Sequence, residues 1–243
     1  FMTKTLIILI GNSRGSEVAW ESLYTNAIRP LYADLALVFG KGEEKNSLYD
    51  RASYIKLVDE YDDWGDCIDE IAKKTNMNSI DWRKSLLNFF KFASWSTAII
   101  FSFRYFVKEL IEENELLDKY DQFIITRSDH YYAFEHPTLD DNHIWVPKGE
   151  DYGGITDRHL VISKSNIMDT LEIIPWCFKN MDKIKSGDNP ETVLKKMYSD
   201  IGIFSKIKRF DRTFFTVKRK TEQNRWGKQK PLYIEHLGIY SKY

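Results

Sequence analysis

The sequence predicts an α/β fold, a mostly parallel central sheet flanked by helices, and three observations carry that expectation. Thr5–Ile10 is an unbroken apolar run that ends in Gly11-Asn12-Ser13-Arg14-Gly15 and passes into a helical pattern. Such a run reads as a strand buried on both faces. Leu35–Phe39 is a second apolar run after a compact connection, so strand, helix and strand form a βαβ unit, which places the two strands in parallel. Gln122–Thr126 is a third buried strand. With 243 residues the chain is long enough to build a substantial core. It is read as one domain over residues 1–243, with a first half of about 4–132 and a second of about 133–243.

The remaining elements follow in order. A helix begins near Ser16, with Glu17 in its first turn, where a carboxylate suits the helix dipole. Helical patterns cover Trp64–Thr75, Trp82–Phe92 and Thr97–Leu117; in the last, Ile100, Phe103, Val107, Leu110 and Ile111 recur at helical spacing. After the Gln122–Thr126 strand come a strand at Val161–Ser163, helices near Asn166–Phe178 and Glu191–Ile201, and a strand-like Arg212–Val217. No internal repeat or low-complexity segment interrupts this alternation.

Composition narrows the class. The chain is 43% hydrophobic and 29% charged, with a mean hydropathy of −0.45, which excludes a disordered chain, a collagen-like fibre and an integral membrane protein. Thirty-five Lys+Arg against 36 Asp+Glu leave a net charge of −1, so no nucleic-acid partner is implied. Cys67 and Cys177 form no Cys-x-x-Cys pair, and the seven-residue run Thr5–Gly11 is too short for a signal peptide. A reduced, cytoplasmic protein is the expectation. Charge is uneven: residues 59–70 hold seven acids and no base, and residues 206–230 hold ten Lys/Arg against Asp211 and Glu222. The basic segment reads as solvated surface, with phosphates or an anionic membrane surface as the alternative partners.

In open α/β sheets, ligands bind beyond the carboxyl ends of the strands. Two polar clusters fall there: Gly11–Gly15, with Asn12 and Arg14, and Arg127-Ser128-Asp129. The first has the spacing of neither GxxxxGK[ST] nor GxGxxG, so its glycines either make a turn or let backbone amides and Arg14 face a nucleotide. Asp129, a carboxylate at a strand end, has the chemistry to hold a divalent metal by oxygen ligation; a turn or cap is the competing role.

The segment YDQFIITRSDHYY, residues 120–132, resembles the strand and D-x-D element of nucleotide-sugar-dependent glycosyltransferases with the GT-A fold. VPKGEDYGGITDRHLVIS, residues 146–163, resembles the acceptor-side loop of that fold, and SWSTAIIFSFRYF, residues 94–106, sits where such enzymes place the helix before the metal-motif strand. The similarity is to small glycosyltransferase domains of large algal viruses and some bacteria, over about residues 4–240. One departure stands out: Arg127 replaces the first Asp of D-x-D, and Asp129 keeps the last acidic position.

The resemblance implies transfer of a hexosyl or deoxyhexosyl group from a nucleotide-diphospho-sugar to a hydroxyl of a glycan, a lipid-linked glycan or a protein. It implies Mn²⁺ or Mg²⁺ at Asp129, with His236 of Ile234-Glu235-His236-Leu237-Gly238 as second ligand and Arg127 supporting the leaving diphosphate. Asp157 is the expected base, Glu150 and Asp151 its rivals, and Gly153-Gly154 would let an acceptor approach. The competing role for Asp157 is a pairing with Arg158 that would make both structural. Asn12, Arg14, Asp62, Asp63, Arg127 and Ser128 are the expected donor contacts, Trp64 a stacking surface, and an acidic helix cap the competing role for Asp62 and Asp63. Lys218, Arg219, Lys220, Arg225, Lys228 and Lys230 are expected to form a flap over the donor diphosphate, with His236 at its base. The alternatives are another metal-dependent nucleotide-using transferase, or a glycan- or nucleotide-binding module without catalysis.

Overall fold

The computed structural model describes residues 3–42, 44–223, 226 and 229–242. From the N-terminus, β1 (Thr5–Gly11) leads through α1 (Glu17–Leu23), a π-helical turn at Tyr24–Ile28 and α2 (Arg29–Leu31) to β2 (Asp34–Gly40). Then follow α3 (Ser47–Arg51), β3 (Tyr54–Val58), α4 (Trp64–Lys74), α5 (Trp82–Phe90), α6 (Phe92–Glu113) and α7 (Leu116–Lys119). The chain continues through β4 (Gln122–Thr126), β5 (His130–Tyr132), β6 (Ile144–Pro147), β7 (Leu160–Ser163), α8 (Ile167–Leu171), α9 (Ile173–Lys179) and α10 (Pro190–Asp200). It closes with β8 (Ile207–Phe210), β9 (Phe214–Arg219), β10 (Leu232–Ile234) and β11 (Ile239–Ser241).

A seven-stranded sheet runs β3-β2-β1-β4-β7-β6-β8. The pairs β3/β2, β2/β1, β1/β4 and β6/β8 are parallel, whereas β7 runs antiparallel to both β4 and β6. The predicted α/β class and mostly parallel sheet are therefore present, with the antiparallel β7 inserted. Side chains alternate across a strand, so the continuous apolar run of β1 feeds two cores at once. Leu6 and Ile8 pack with helices α4 to α6 and α8 to α10. Ile7 and Leu9 pack with α1 and with Tyr132, Phe214, Val217 and Ile239 of a second sheet, ordered β10-β11-β9-β5.

Several boundaries differ from the sequence reading for local reasons. The helix expected over Thr97–Leu117 ends at Glu113, because Glu115 takes a left-handed φ of 52° before α7 begins. Upstream, Ala93, Ser94 and Trp95 have φ of 46°, 57° and 70°, a costly conformation without glycine that turns the α5–α6 corner. The helix expected over Asn166–Phe178 breaks at Glu172, just before Pro175, which has no amide to continue the ladder. Among the described residues, no single helix is long and apolar enough to cross a membrane.

Candidate functional site

A cleft of about 870 Å³ opens beyond the carboxyl ends of the parallel neighbours β1 and β4. Its floor comes from Asn12–Arg14 and from Arg127 and Asp129; its walls come from the start of α6, from Asp157 and Arg158, from the first turn of α10, and from the end of β9 with Glu222, Gln223 and Trp226.

The floor is stapled by Ser128. Its buried hydroxyl donates to the Asn12 carbonyl at 2.6 Å and accepts from the Arg14 amide at 2.9 Å, so that amide is committed to the protein while the Arg14 side chain lines the cleft. Gly15 completes the joint. Its φ is 92°, and a Cβ there would lie 3.2 Å from the Asp129 Cα and from the Ser128 carbonyl. Gly15 thus makes the turn that docks the two loops. Ser128→Ala removes both bonds of the staple, and an expected loss of about 1–3 kcal/mol is measurable by urea denaturation.

On Asp129, burial opposes the charge, but the Arg127 guanidinium outweighs it and holds the carboxyl down to about 2. Arg127 donates from Nε to Oδ1 at 2.8 Å and from Nη2 to Oδ2 at 2.5 Å.

The opposite wall carries two carboxylates, Asp157 and Glu191, neither in an ion pair among the described residues. Glu191 escaped the sequence reading because an acid in a helix first turn is ordinarily a response to the helix dipole. The signal available was Asn189-Pro190-Glu191-Thr192: Asn189 Oδ1 accepts from the Thr192 amide at 2.8 Å, and Thr192 Oγ1 accepts from the Asn189 amide at 3.0 Å. That capping box fixes where α10 begins. Gly154 has a packing task in this loop. A Cβ on Gly154 would come within 1.9 Å of the Glu191 carbonyl, which itself accepts from the Ile155 amide at 3.0 Å. Glycine therefore lets the Asp157 loop close onto α10. Desolvation, and then the Asp157 charge, push the Glu191 carboxyl up to about 7. Arg104, only 1% exposed, supports the same loop from α6 by donating Nη2 to the Asp157 carbonyl at 3.4 Å.

Glu150 and Asp151, the rival bases, do not line this cleft. Glu150 accepts from Arg158 Nη1 at 2.9 Å, Lys242 Nζ at 2.6 Å and Arg212 Nη1 at 2.6 Å. Asp151 Oδ1 accepts from Arg209 Nη1 at 2.7 Å and from the Thr156 amide at 3.1 Å. Arg158 is thereby paired with Glu150, and Asp157 remains turned to the cleft with Glu191. Asp62 and Asp63 also lie away from it. Asp62 is exposed; Asp63 caps α4 by accepting from the Gly65 amide at 2.8 Å, and Trp64 is core. The acidic run is answered by Arg83, which pairs with Asp66 and Asp69.

Within the basic segment, Lys218 and Arg219 line the cleft. Lys218 Nζ donates to the Glu222 carbonyl at 2.8 Å and Arg219 Nε to Glu222 Oε1 at 2.9 Å. Lys220 and Lys230 are exposed and outside the lining, while Arg225 and Lys228 lie outside the described residues. His236 is exposed in a 3-10 turn, Glu235–Leu237, and is not among the lining residues.

The expected divalent ion finds a poor donor set here. Both Asp129 oxygens already face one guanidinium, and no group of three His, Cys, Asp or Glu able to hold a metal is assembled among the described residues. Oxygen-ligated Mn²⁺ or Mg²⁺ needs anionic oxygens rather than a bound cation at that point.

Beneath Asp129 runs a buried chain absent from the sequence reading. Thr126 Oγ1 lies 3.1 Å from His130 Nδ1 and 2.9 Å from His159 Nδ1, and the Nε2 atoms of His159 and His136 are 3.0 Å apart. Burial drives all three imidazoles down, His130 to about 3 and His136 to about 4, and His159 well below its ordinary value. They are neutral support for the floor.

No family model matches the chain, and no curated protein matches it in sequence.

Proposed function

We propose that this cleft transfers a glycosyl group from a nucleotide-diphospho-sugar to a hydroxyl acceptor. The observation that carries the reading is the division of charge in one cleft. Arg14, Arg127, Lys218 and Arg219 lie towards the β1, β4 and β9 ends, with Asp129 and Glu222 holding Arg127 and Arg219, and the carboxylates Asp157 and Glu191 line the cleft beside Arg158, whose charge is taken by Glu150. A diphosphate leaving group needs fixed cations where its charge develops. An attacking hydroxyl needs a carboxylate that takes its proton. Asp157 is that base, and Glu191 beside it sets the pH at which the wall becomes doubly negative. Trp226 at the margin offers a planar face of the kind that packs on a base or sugar ring. The GT-A resemblance of residues 120–132 and 146–163 supports the same chemistry.

A panel of nucleotide sugars tests this. A matching donor binds the folded state alone and raises the melting temperature with the logarithm of its concentration over its Kd, and that donor is then consumed in the presence of a sugar acceptor. A stabilising donor that is never hydrolysed or transferred would favour a binding module, and a panel with no stabilising member would overturn the reading.

A further inference from the structure

The Arg127–Asp129 contact is forked, with two parallel N–H···O bonds at 2.8 and 2.5 Å, the strong and directional form of charge-assisted pairing. The Asp129 side chain is 6% exposed, whereas that of Arg127 keeps 29% of its surface open and lines the cleft. One edge of the guanidinium is thus spent on Asp129, and its other N–H donors remain for whatever enters. A divalent ion on Asp129 would share oxygens already committed to this fork and sit beside the arginine, with like charges close together. No group of three His, Cys, Asp or Glu able to hold a metal is assembled there among the described residues.

We propose that Arg127, braced by Asp129, is the site's own cation: it receives the donor diphosphate, and the nucleotide binds and reacts without a divalent ion. This rests on the nucleotide-sugar reading above. In the transfer, the bond between the anomeric carbon and the β-phosphate oxygen breaks, and the electron pair leaves with the nucleoside diphosphate. The acceptor oxygen bonds to the anomeric carbon, and its proton passes to Asp157. The added charge on the diphosphate is met by Arg127 N–H groups, with Arg14 and Lys218 nearby in the same cleft. Asp129 is a positioning residue in this scheme, since it fixes the plane of the guanidinium.

The test is calorimetric titration of the whole chain with UDP, GDP, CDP and ADP, each in EDTA and in Mn²⁺. At least one nucleotide is expected to bind in EDTA with an affinity within about threefold of its value in Mn²⁺. In EDTA, Arg127→Ala should weaken that binding by about ten- to hundredfold, the range for a lost charged hydrogen bond. Arg127→Lys, which keeps the charge but loses the fork, should fall between. Wild-type binding that strengthens tenfold or more with Mn²⁺ would overturn the internal-cation proposal while leaving the nucleotide-sugar reading intact. Arg127→Lys and Arg127→Ala variants that are folded and bind like wild type would do the same. Failure of every nucleotide in both conditions would overturn the nucleotide-sugar reading, and this proposal with it.

Discussion

Asp157→Asn is expected to lower kcat by about 10²- to 10⁴-fold, the usual worth of a positioned general base, while nucleoside diphosphate affinity stays within about threefold because the base acts in the transition state. The amide keeps the shape of the carboxylate and removes its ability to accept the acceptor's proton. The neighbouring Glu191 supplies the pH signature. Its carboxyl is pushed up to about 7, first by desolvation and then by the Asp157 charge, so Glu191 gains its own charge around that pH. The second negative charge beside Asp157 makes it a stronger proton acceptor, so kcat should rise as Glu191 ionises, through an apparent value near 7 that belongs to the pair. Glu191→Gln should flatten that limb. Stability carries the opposite sign. A carboxyl whose folded pKa is raised favours the fold below its unfolded value and loses that contribution as pH climbs through about 7. Wild type should therefore lose melting temperature between pH 5 and pH 8 relative to Glu191→Gln. Turnover by Asp157→Asn within threefold of wild type would remove Asp157 as the base.

The parallel half of the fold is legible because β1, β2 and β4 are continuous apolar runs, and such runs have one good explanation, burial on both faces. β3, Tyr54–Val58, was not. Its Ile55 and Leu57 are exposed and Lys56 is turned inward to Glu109 and Glu113, so an edge strand here carries neither an apolar run nor a clean alternation. The short strands β5, β8, β10 and β11 have three or four residues each, too few for a period to register. The site divides in the same way. Asn12, Arg14, Arg127 and Asp129 could be named because they follow strands that the sequence announces. Glu150 and Asp151 could not be separated from Asp157, since all three share one glycine-rich loop. What separates them is which cations the fold brings from Arg209, Arg212 and Lys242, residues 58 to 92 positions away. Glu191 needed the same long-range information, because only the closure of Gly154 on α10 places it opposite Arg127.

Glu150→Ala is the substitution expected to cost the most stability. Glu150 sits in a loop of left-handed residues, with Gly149 at φ 88°, Glu150 at 55°, Tyr152 at 44° and Gly153 at 86°. Two of these lack glycine's freedom, and their conformation is held by contacts rather than preferred by the backbone. Three cations converge on the Glu150 carboxylate, which is 6% exposed: Arg158 from the cleft wall, Arg212 from the β8–β9 connection and Lys242 after β11. Lys242 also donates to the Tyr152 hydroxyl at 3.1 Å. Burial opposes the charge on Glu150, but Arg158, Lys242 and Arg212 together hold its carboxyl down to about 2. Alanine would leave these cations in a buried site without their common partner, a change that costs about 3–5 kcal/mol when a buried pair is broken. The pH dependence follows from the lowered value: the contribution is complete above the ordinary carboxylate range and is lost as pH falls towards about 2. Urea denaturation at pH 7 and pH 3 should show a large gap between wild type and Glu150→Ala at the first and a smaller one at the second. Lys242→Met, which removes one cation and leaves the carboxylate its two arginines, should cost less at both. Equal urea midpoints for wild type and Glu150→Ala at pH 7 would mean that the cluster does not hold the loop, and that Arg158 and Asp157 are positioned by Arg104 and the Gly154–Glu191 contact alone.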